Sequence, residues 1–220
     1  MDRVQDRVLF IDGEAIVLDK PAGLAVHAGP ATSESLEDHL GELRFGFQRT
    51  PLPAHRLDRD TSGCLLLARN PKAHKRFTQA FEEGRVEKTY LAVLDGVPEQ
   101  TEGIIDLALN KVSSPERGWR MVVDAGGKAA VTHWRLVTAK EGRSLVLFRP
   151  QTGRTHQIRI HAAAGLELPI AGDAIYGNGQ GPMLLHALSL KVPRETKPPI
   201  EAHAPLPPAF GAAGFDDAGL

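Results

Sequence analysis

Apolar residues in this chain come in short runs, each soon cut off by a turn residue or a charge. Runs of that length suit β-strands and are too short for a membrane span. Val8-Leu9-Phe10-Ile11 and Ala15-Ile16-Val17-Leu18 flank Asp12-Gly13, which predicts two strands paired about a tight turn. Cys64-Leu65-Leu66-Leu67-Ala68 predicts a strand buried on both faces. Residues 86–94 predict another, with Tyr90, Ala92 and Leu94 on one side and Thr89, Leu91 and Val93 on the other. Met121-Val122-Val123 and Ala130-Val131-Thr132-His133-Trp134 bracket Ala125-Gly126-Gly127 as a hairpin, and Ser144 to Phe148 and Leu184 to Val192 add strands.

Helical periodicity is rarer. Leu36, Leu40, Leu43 and Phe47 follow the cap candidates Ser33 and Ser35, and Pro51-Leu52-Pro53 ends that segment. Asn70-Pro71 opens a second helix with Ala73, Phe77, Ala80 and Phe81 on one face and Gly84 as its stop. Thr155 is a cap candidate for a third helix running to about Gly165. Many strands and few helices, without regular βαβ alternation, predict a single α+β domain over residues 1–220 with a largely antiparallel sheet. No repeat, low-complexity tract or linker marks a second domain. The tail, residues 193–220, is rich in proline and glycine and reads as partly extended or mobile.

With 220 residues, 42% of them hydrophobic, the chain can bury roughly 70% of its unfolded surface and needs no disulfide or metal staple. Its single cysteine, Cys64, has no internal partner, which fits a reducing compartment. The opening Met1-Asp2-Arg3-Val4-Gln5-Asp6-Arg7 alternates charge and leads into no apolar region of a secretory signal. The expectation is a soluble cytoplasmic protein, with no membrane role and monomeric. A formal net charge of −1 argues against a protein that coats nucleic acid indiscriminately. The charge is nevertheless uneven. Residues 55–90 carry 8 basic and 5 acidic groups and residues 143–161 carry 4 and none, against 5 and 9 in residues 1–54. The two positive stretches read either as halves of one basic cleft or as solvated faces.

Several chemistries lack support. No phosphate-cradling glycine loop and no G-x-G-x-x-G follows a strand, so no nucleotide cofactor is expected. Cys64 lies in an apolar run and reads as a core thiol. His156 and His161 are five apart, a spacing that suits metal ligands on neither a helix nor a strand, and no metal is expected. Ser62 with His55 and Asp58 invites a serine-hydrolase reading, but no G-x-S-x-G elbow surrounds the serine.

Two polar segments stand out. His55-Arg56-Leu57-Asp58-Arg59-Asp60-Thr61-Ser62-Gly63 sits directly before a buried strand, where catalytic groups are often held. Asp58 and Asp60 there read as a carboxylate pair, a turn cap or solvated charge. Gln151-Thr152-Gly153-Arg154-Thr155-His156-Gln157-Ile158-Arg159 places positive charge beside the positive end of a helix. A carboxylate or phosphate would relieve it. Arg154 therefore reads either as facing an acidic partner or as a surface arginine beside a turn.

His55-Arg56-Leu57-Asp58 with Thr61-Ser62-Gly63 resembles the signature of the RluA family of RNA pseudouridine synthases. So do Asp19-Lys20-Pro21-Ala22-Gly23, Lys88-Thr89-Tyr90, Gly153-Arg154-Thr155-His156-Gln157-Ile158-Arg159, Gly172-Asp173, Tyr176-Gly177 and Leu184-Leu185-His186-Ala187, in that order. The likeness covers roughly residues 8–210 and includes no S4-type RNA-binding domain. It implies a central mixed sheet flanked by helices with a cleft across it. It implies isomerisation of uridine in structured rRNA or tRNA, without a cofactor. By this resemblance Asp58 is the catalytic aspartate and Tyr90 the ring that stacks on the target base. Arg154 is the cation that pairs with the aspartate, Ile158 an apolar wall, and Arg56 an occupant of the space left by the flipped nucleotide. Arg59, Lys88 and Arg159, with Lys72, Lys75 and Arg76, are expected to meet RNA phosphates. The competing reading is a non-catalytic RNA-binding or RNA-chaperone protein using the same cleft.

Overall fold

The computed structural model describes residues 3–29, 33–114 and 118–215. Its strands are β1 (Val8–Ile11), β2 (Ala15–Lys20), β3 (Leu52–Pro53), β4 (Ser62–Ala68), β5 (Glu87–Leu94), β6 (Glu102–Asp106), β7 (Leu109–Ser114), β8 (Gly118–Val123), β9 (Val131–Lys140), β10 (Arg143–Pro150), β11 (Leu185–Val192) and β12 (Ile200–His203). Its α-helices are α1 (Pro71–Glu82), α2 (Gln157–Ile160) and α3 (Pro208–Ala212). The fold is α+β. The chain divides into two compact units, Met1–Lys88 with Ala187–Pro205, and Thr89–His186 with Leu206–Leu220. The boundaries at Lys88 and His186 fall inside β5 and β11, so no linker composition marks them.

In the first unit β1 and β2 pair antiparallel, with Ile11 opposite Ile16. Asp12 makes the turn, its Oδ1 accepting the Glu14 and Ala15 N–H groups at 2.8 and 2.9 Å. β2 runs antiparallel to β4, bringing Asp19 opposite Cys64 and Lys20 opposite Gly63. Both strands are buried at every residue, which accounts for their unbroken apolar runs. Helix α1 starts where Asn70 Oδ1 accepts the Ala73 N–H at 2.9 Å. Its Ala73, Phe77 and Ala80 join Val17, Leu66, Leu190 and Ile200 in one apolar cluster.

Leu36–Arg44 is a 3₁₀ helix, opened by Asp38 Oδ2 accepting the Ser35 N–H at 2.8 Å. Leu36, Leu40 and Leu43 are buried as their spacing predicts. Phe47 is not. The chain turns at Phe45, which has a left-handed φ of 43°, and Phe47 ends exposed beneath the Arg69 guanidinium, 3.7 Å from its ring centroid.

The second unit holds the strand order β5–β10–β9–β6, with Leu91 opposite Leu147 and Tyr90 opposite Phe148. Met121-Val122-Val123 does not form the expected hairpin with the strand around Val131. It lies in β8, which pairs with β7 in a separate two-stranded sheet, while β9 lies between β10 and β6. The Gly127 turn survives, closed by its N–H on the Asp124 carbonyl at 2.8 Å. β6 and β7 carry mostly exposed side chains and so lack the hydrophobic signal by which the other strands are read. Ala92, Leu94, Val146, Phe148, Ile158, Ile170 and Met183 form this unit's core.

Helix α2 begins after His156, whose left-handed φ of 53° ends the turn, so Thr155 is not its cap. It continues as a π turn over His161–Gly165. The expected loose tail is ordered through residue 215. β12 pairs antiparallel with β11, and Ile200, Phe210 and Phe215 are buried. Apolar burial at those positions outweighs the proline and glycine content. Residues 216–220, the rest of that tail, lie outside the described residues, as do Met1 and Asp2. Among the described residues no helix is long and apolar enough to cross a membrane.

Candidate active site

In the first unit the loop from His55 to Gly63 leads into β4. Asp58 is half-buried, while Arg56 and Arg59 are exposed. The Asp58 carbonyl accepts the Thr61 N–H at 3.2 Å, closing a turn around the acidic residue. The Arg59 carbonyl accepts two donors from the end of β2 and the turn that follows it, the Lys20 ammonium at 3.0 Å and the Gly23 N–H at 2.9 Å. Lys20 also donates to the Pro21 and Leu24 carbonyls, each at 2.8 Å, which uses all three of its N–H groups. Burial pushes this lysine down to about 7, although the charges of Asp60, Asp58 and Asp19 work the other way.

The loop's two ends are fixed as well. His55 Nε2 accepts the Leu66 N–H at 2.9 Å, so that nitrogen carries no proton, and the ring stacks on Phe81 at 4.1 Å. Burial, helped by the Lys88 charge, pushes His55 down to about 3. It is a neutral strut for the loop. At the other end Gly63 has φ +104°, and a Cβ there would collide with the Ala187 carbonyl.

In the second unit Arg154 is exposed on the turn before α2. Its backbone N–H donates to Gln157 Oε1 at 2.9 Å and its Nε to the Ala129 carbonyl at 3.0 Å. His156 Nδ1 lies 3.0 Å from the Tyr176 hydroxyl, which also accepts the Met121 N–H at 3.0 Å. Ile158 is buried in the unit's core, and Tyr90 packs partly exposed against the same cluster. The structure thus brings those two candidates together. Arg159 bonds Asp173 twice, Nε to Oδ2 and Nη2 to Oδ1, both at 2.7 Å. Burial pushes the Asp173 carboxyl up, but the Arg159 bonds outweigh it and hold the group below its ordinary range.

A family model described as RNA pseudouridylate synthase matches residues 14–164. A Zymomonas mobilis protein named as an uncharacterized RNA pseudouridine synthase is 60% identical over 213 residues, 95% of this chain and 97% of that relative. The chain belongs to the RNA pseudouridylate synthase family. The ribosomal large subunit pseudouridine synthase D of the same organism is 33% identical over 180 residues, 79% of this chain and 56% of that one. Among solved structures, human RNA pseudouridylate synthase domain containing 1 superposes with a TM-score of 0.76 at 29% identity, covering 93% of this chain and 86% of that chain. Human RNA pseudouridylate synthase domain containing 4 shares the fold, with a TM-score of 0.80 over 94% of this chain and 91% of that chain at 24% identity.

In this pseudouridylate synthase three of the cations named in the sequence reading are buried or bound to a carboxylate. The Arg159 side chain is 6% exposed and bonded to Asp173. Lys88 is also buried, and burial pushes it down to about 8. Arg76 is held by Glu14 at 2.8 Å. Arg59 remains exposed beside Asp60, at 3.1 Å, and Lys72 and Lys75 are exposed on α1. Two residues escaped the sequence reading, Lys20 and Gln157. Each lies in a motif of the resemblance, but its contacts, all to backbone for Lys20 and to backbone and threonine hydroxyls for Gln157, are ones that residue type alone does not announce. Among the described residues no group of His, Cys, Asp and Glu is arranged to hold a metal ion.

Proposed function

We propose that this synthase isomerises uridine in structured ribosomal or transfer RNA, with the whole chain serving as one catalytic domain and Asp58 as its catalytic residue. The observation that carries the reading is the family match across residues 14–164, which includes the half-buried Asp58 turn clamped at the Arg59 carbonyl. In the reaction the N1–C1′ bond breaks, the base rotates, and a C5–C1′ bond forms. N1 gains a proton and C5 loses one, so no oxidant or hydrolytic water is consumed. Charge builds at C1′ as in glycoside cleavage, and an ionised carboxylate is suited to attack or stabilise that centre. Arg154 contributes the compensating positive charge.

Tyr90 stacks on the flipped uracil, worth about 1–3 kcal/mol, and its packing against the Ile158 cluster supports a stiff platform with an apolar wall. Arg56, exposed on the Asp58 loop, occupies the vacated stack. Arg59, with Lys72 and Lys75, supplies phosphate contacts that place the RNA without reading its sequence. The relatives named for the ribosomal large subunit favour rRNA as the first substrate to try. A monomer in a reducing cytoplasm fits the lone Cys64, whose thiol burial pushes up to about 12 and so keeps protonated.

The test is release of tritium from RNA labelled at uridine C5, with EDTA present. Wild-type protein is expected to release it from rRNA or tRNA, and Asp58→Asn to lower the rate by at least about 10³-fold while still binding RNA. Binding by the wild type without release from either RNA would overturn the proposal in favour of a non-catalytic RNA-binding protein.

A further inference from the structure

We propose that Gln157 is a positioning residue for the turn that carries Arg154, acting on the reaction through that arginine. The inference deepens the reading above and rests on the role given there to Arg154. A side-chain amide offers two acceptor sites and two N–H donors. Gln157 is 4% exposed, and all four of its positions are used. On the turn side Oε1 accepts the Arg154 N–H at 2.9 Å and the Thr152 hydroxyl at 2.7 Å. On the sheet side Nε2 donates to the Val131 carbonyl at 3.0 Å and to Thr132 Oγ1 at 2.9 Å. One amide therefore ties the turn that carries Arg154 to the first two residues of β9.

The ties have a consistent direction. The Val131 N–H donates to Thr152 Oγ1 at 3.2 Å, and that hydroxyl donates on to Gln157. From Gln157 the chain runs through Thr132 Oγ1 to His161 Nδ1 at 2.9 Å, and His161 Nε2 lies 3.1 Å from the Leu107 carbonyl. Burial pushes His161 down, and a neutral ring accepting at Nδ1 and donating at Nε2 satisfies every member. The turn needs such a hold. Gln151, Gly153 and Arg154 are exposed, and His156 closes the turn in a left-handed conformation that is strained for a non-glycine residue and persists only where its surroundings enforce it. Arg154 is anchored at its N–H by Gln157 and at Nε by Ala129, so losing the first leaves the guanidinium to swing about the second.

The experiment is a double-mutant cycle on single-turnover tritium release, with RNA affinity measured in parallel. Gln157→Met, similar in length and without hydrogen bonds, is expected to lower the rate by about 10²-fold while the RNA Kd stays within about threefold. In an Arg154→Ala background the same substitution is expected to cost less than about threefold, because the residue it acts through is already gone. A full loss in both backgrounds, or a Gln157→Met enzyme as fast as wild type, overturns the inference while leaving the isomerase reading intact. A wild type that releases no tritium overturns both. Should Gln157→Met fail to fold, Thr152→Val removes the hydroxyl bond to Gln157 Oε1 together with the Val131 N–H bond to that hydroxyl, keeps the two bonds donated by Gln157 Nε2, and the same non-additivity with Arg154→Ala decides the matter.

Discussion

At the scale of single residues, backbone carbonyls do much of the positioning. The Asp58 loop is held through the Arg59 carbonyl by Lys20, a buried ammonium whose three donors all end on main chain. Lys20→Met takes a donor from the Pro21, Leu24 and Arg59 carbonyls and leaves the loop held at Arg59 by the Gly23 N–H alone, so the turnover rate is expected to fall by about 10- to 100-fold with RNA affinity little changed. Tritium release and a binding titration on the same RNA check this, and an unchanged rate would separate Lys20 from the Asp58 geometry. The Asp58 loop was legible in the sequence because its charged residues interrupt two apolar stretches. Lys20 was not, since lysine in a sequence reads as surface charge and its carbonyl partners carry no residue-type signature.

At the scale of elements, α2 shows how a short helix is made secure. It has four residues and no side-chain cap, yet all four are buried. Arg159 ties it to the Asp173 turn, where Oδ1 also accepts the Ile175 and Tyr176 N–H groups at 2.8 and 3.1 Å. Arg159→Met strands a carboxylate whose side chain is 0% exposed, so the protein is expected to lose about 3–5 kcal/mol in urea unfolding. A loss within the scatter of a surface substitution would show the pair to be idle. Legibility followed the strength of the local signal. β1, β2, β4 and α1 stand where apolar period and caps place them, because their burial is uniform and their turn chemistry local. β6 and β7 are mostly exposed and could be placed only by their partners β9 and β8.

At the scale of the whole molecule, three buried bases share one thermodynamic sign. His55 at about 3, Lys20 at about 7 and Lys88 at about 8 all lie below their ordinary values of 6.5, 10.5 and 10.5. Between each pair of values the unfolded chain binds more protons than the folded one, so stability rises with pH across that window. The urea midpoint is therefore expected to climb from pH 3 to 6.5 through His55, and again above pH 7 through the two lysines. Asp19, pushed up by burial, opposes this near pH 4, whereas Arg159 keeps the Asp173 carboxyl low and adds to the acid loss. A midpoint that is flat between pH 7 and 9, or a Lys20→Met protein with the same slope as wild type, would contradict the assignment. The sequence alone determined the α+β class, the reaction family and the candidate site residues, because apolar period, turn residues and motif chemistry are local along the chain. Only the tertiary structure decided that Arg159 and Lys88 are interior charges, that residues 200–215 are folded, and that Gln157 and Lys20 hold the turns at Arg154 and Asp58. Burial and hydrogen-bond partnership are set by residues distant in sequence, and no local pattern reports them.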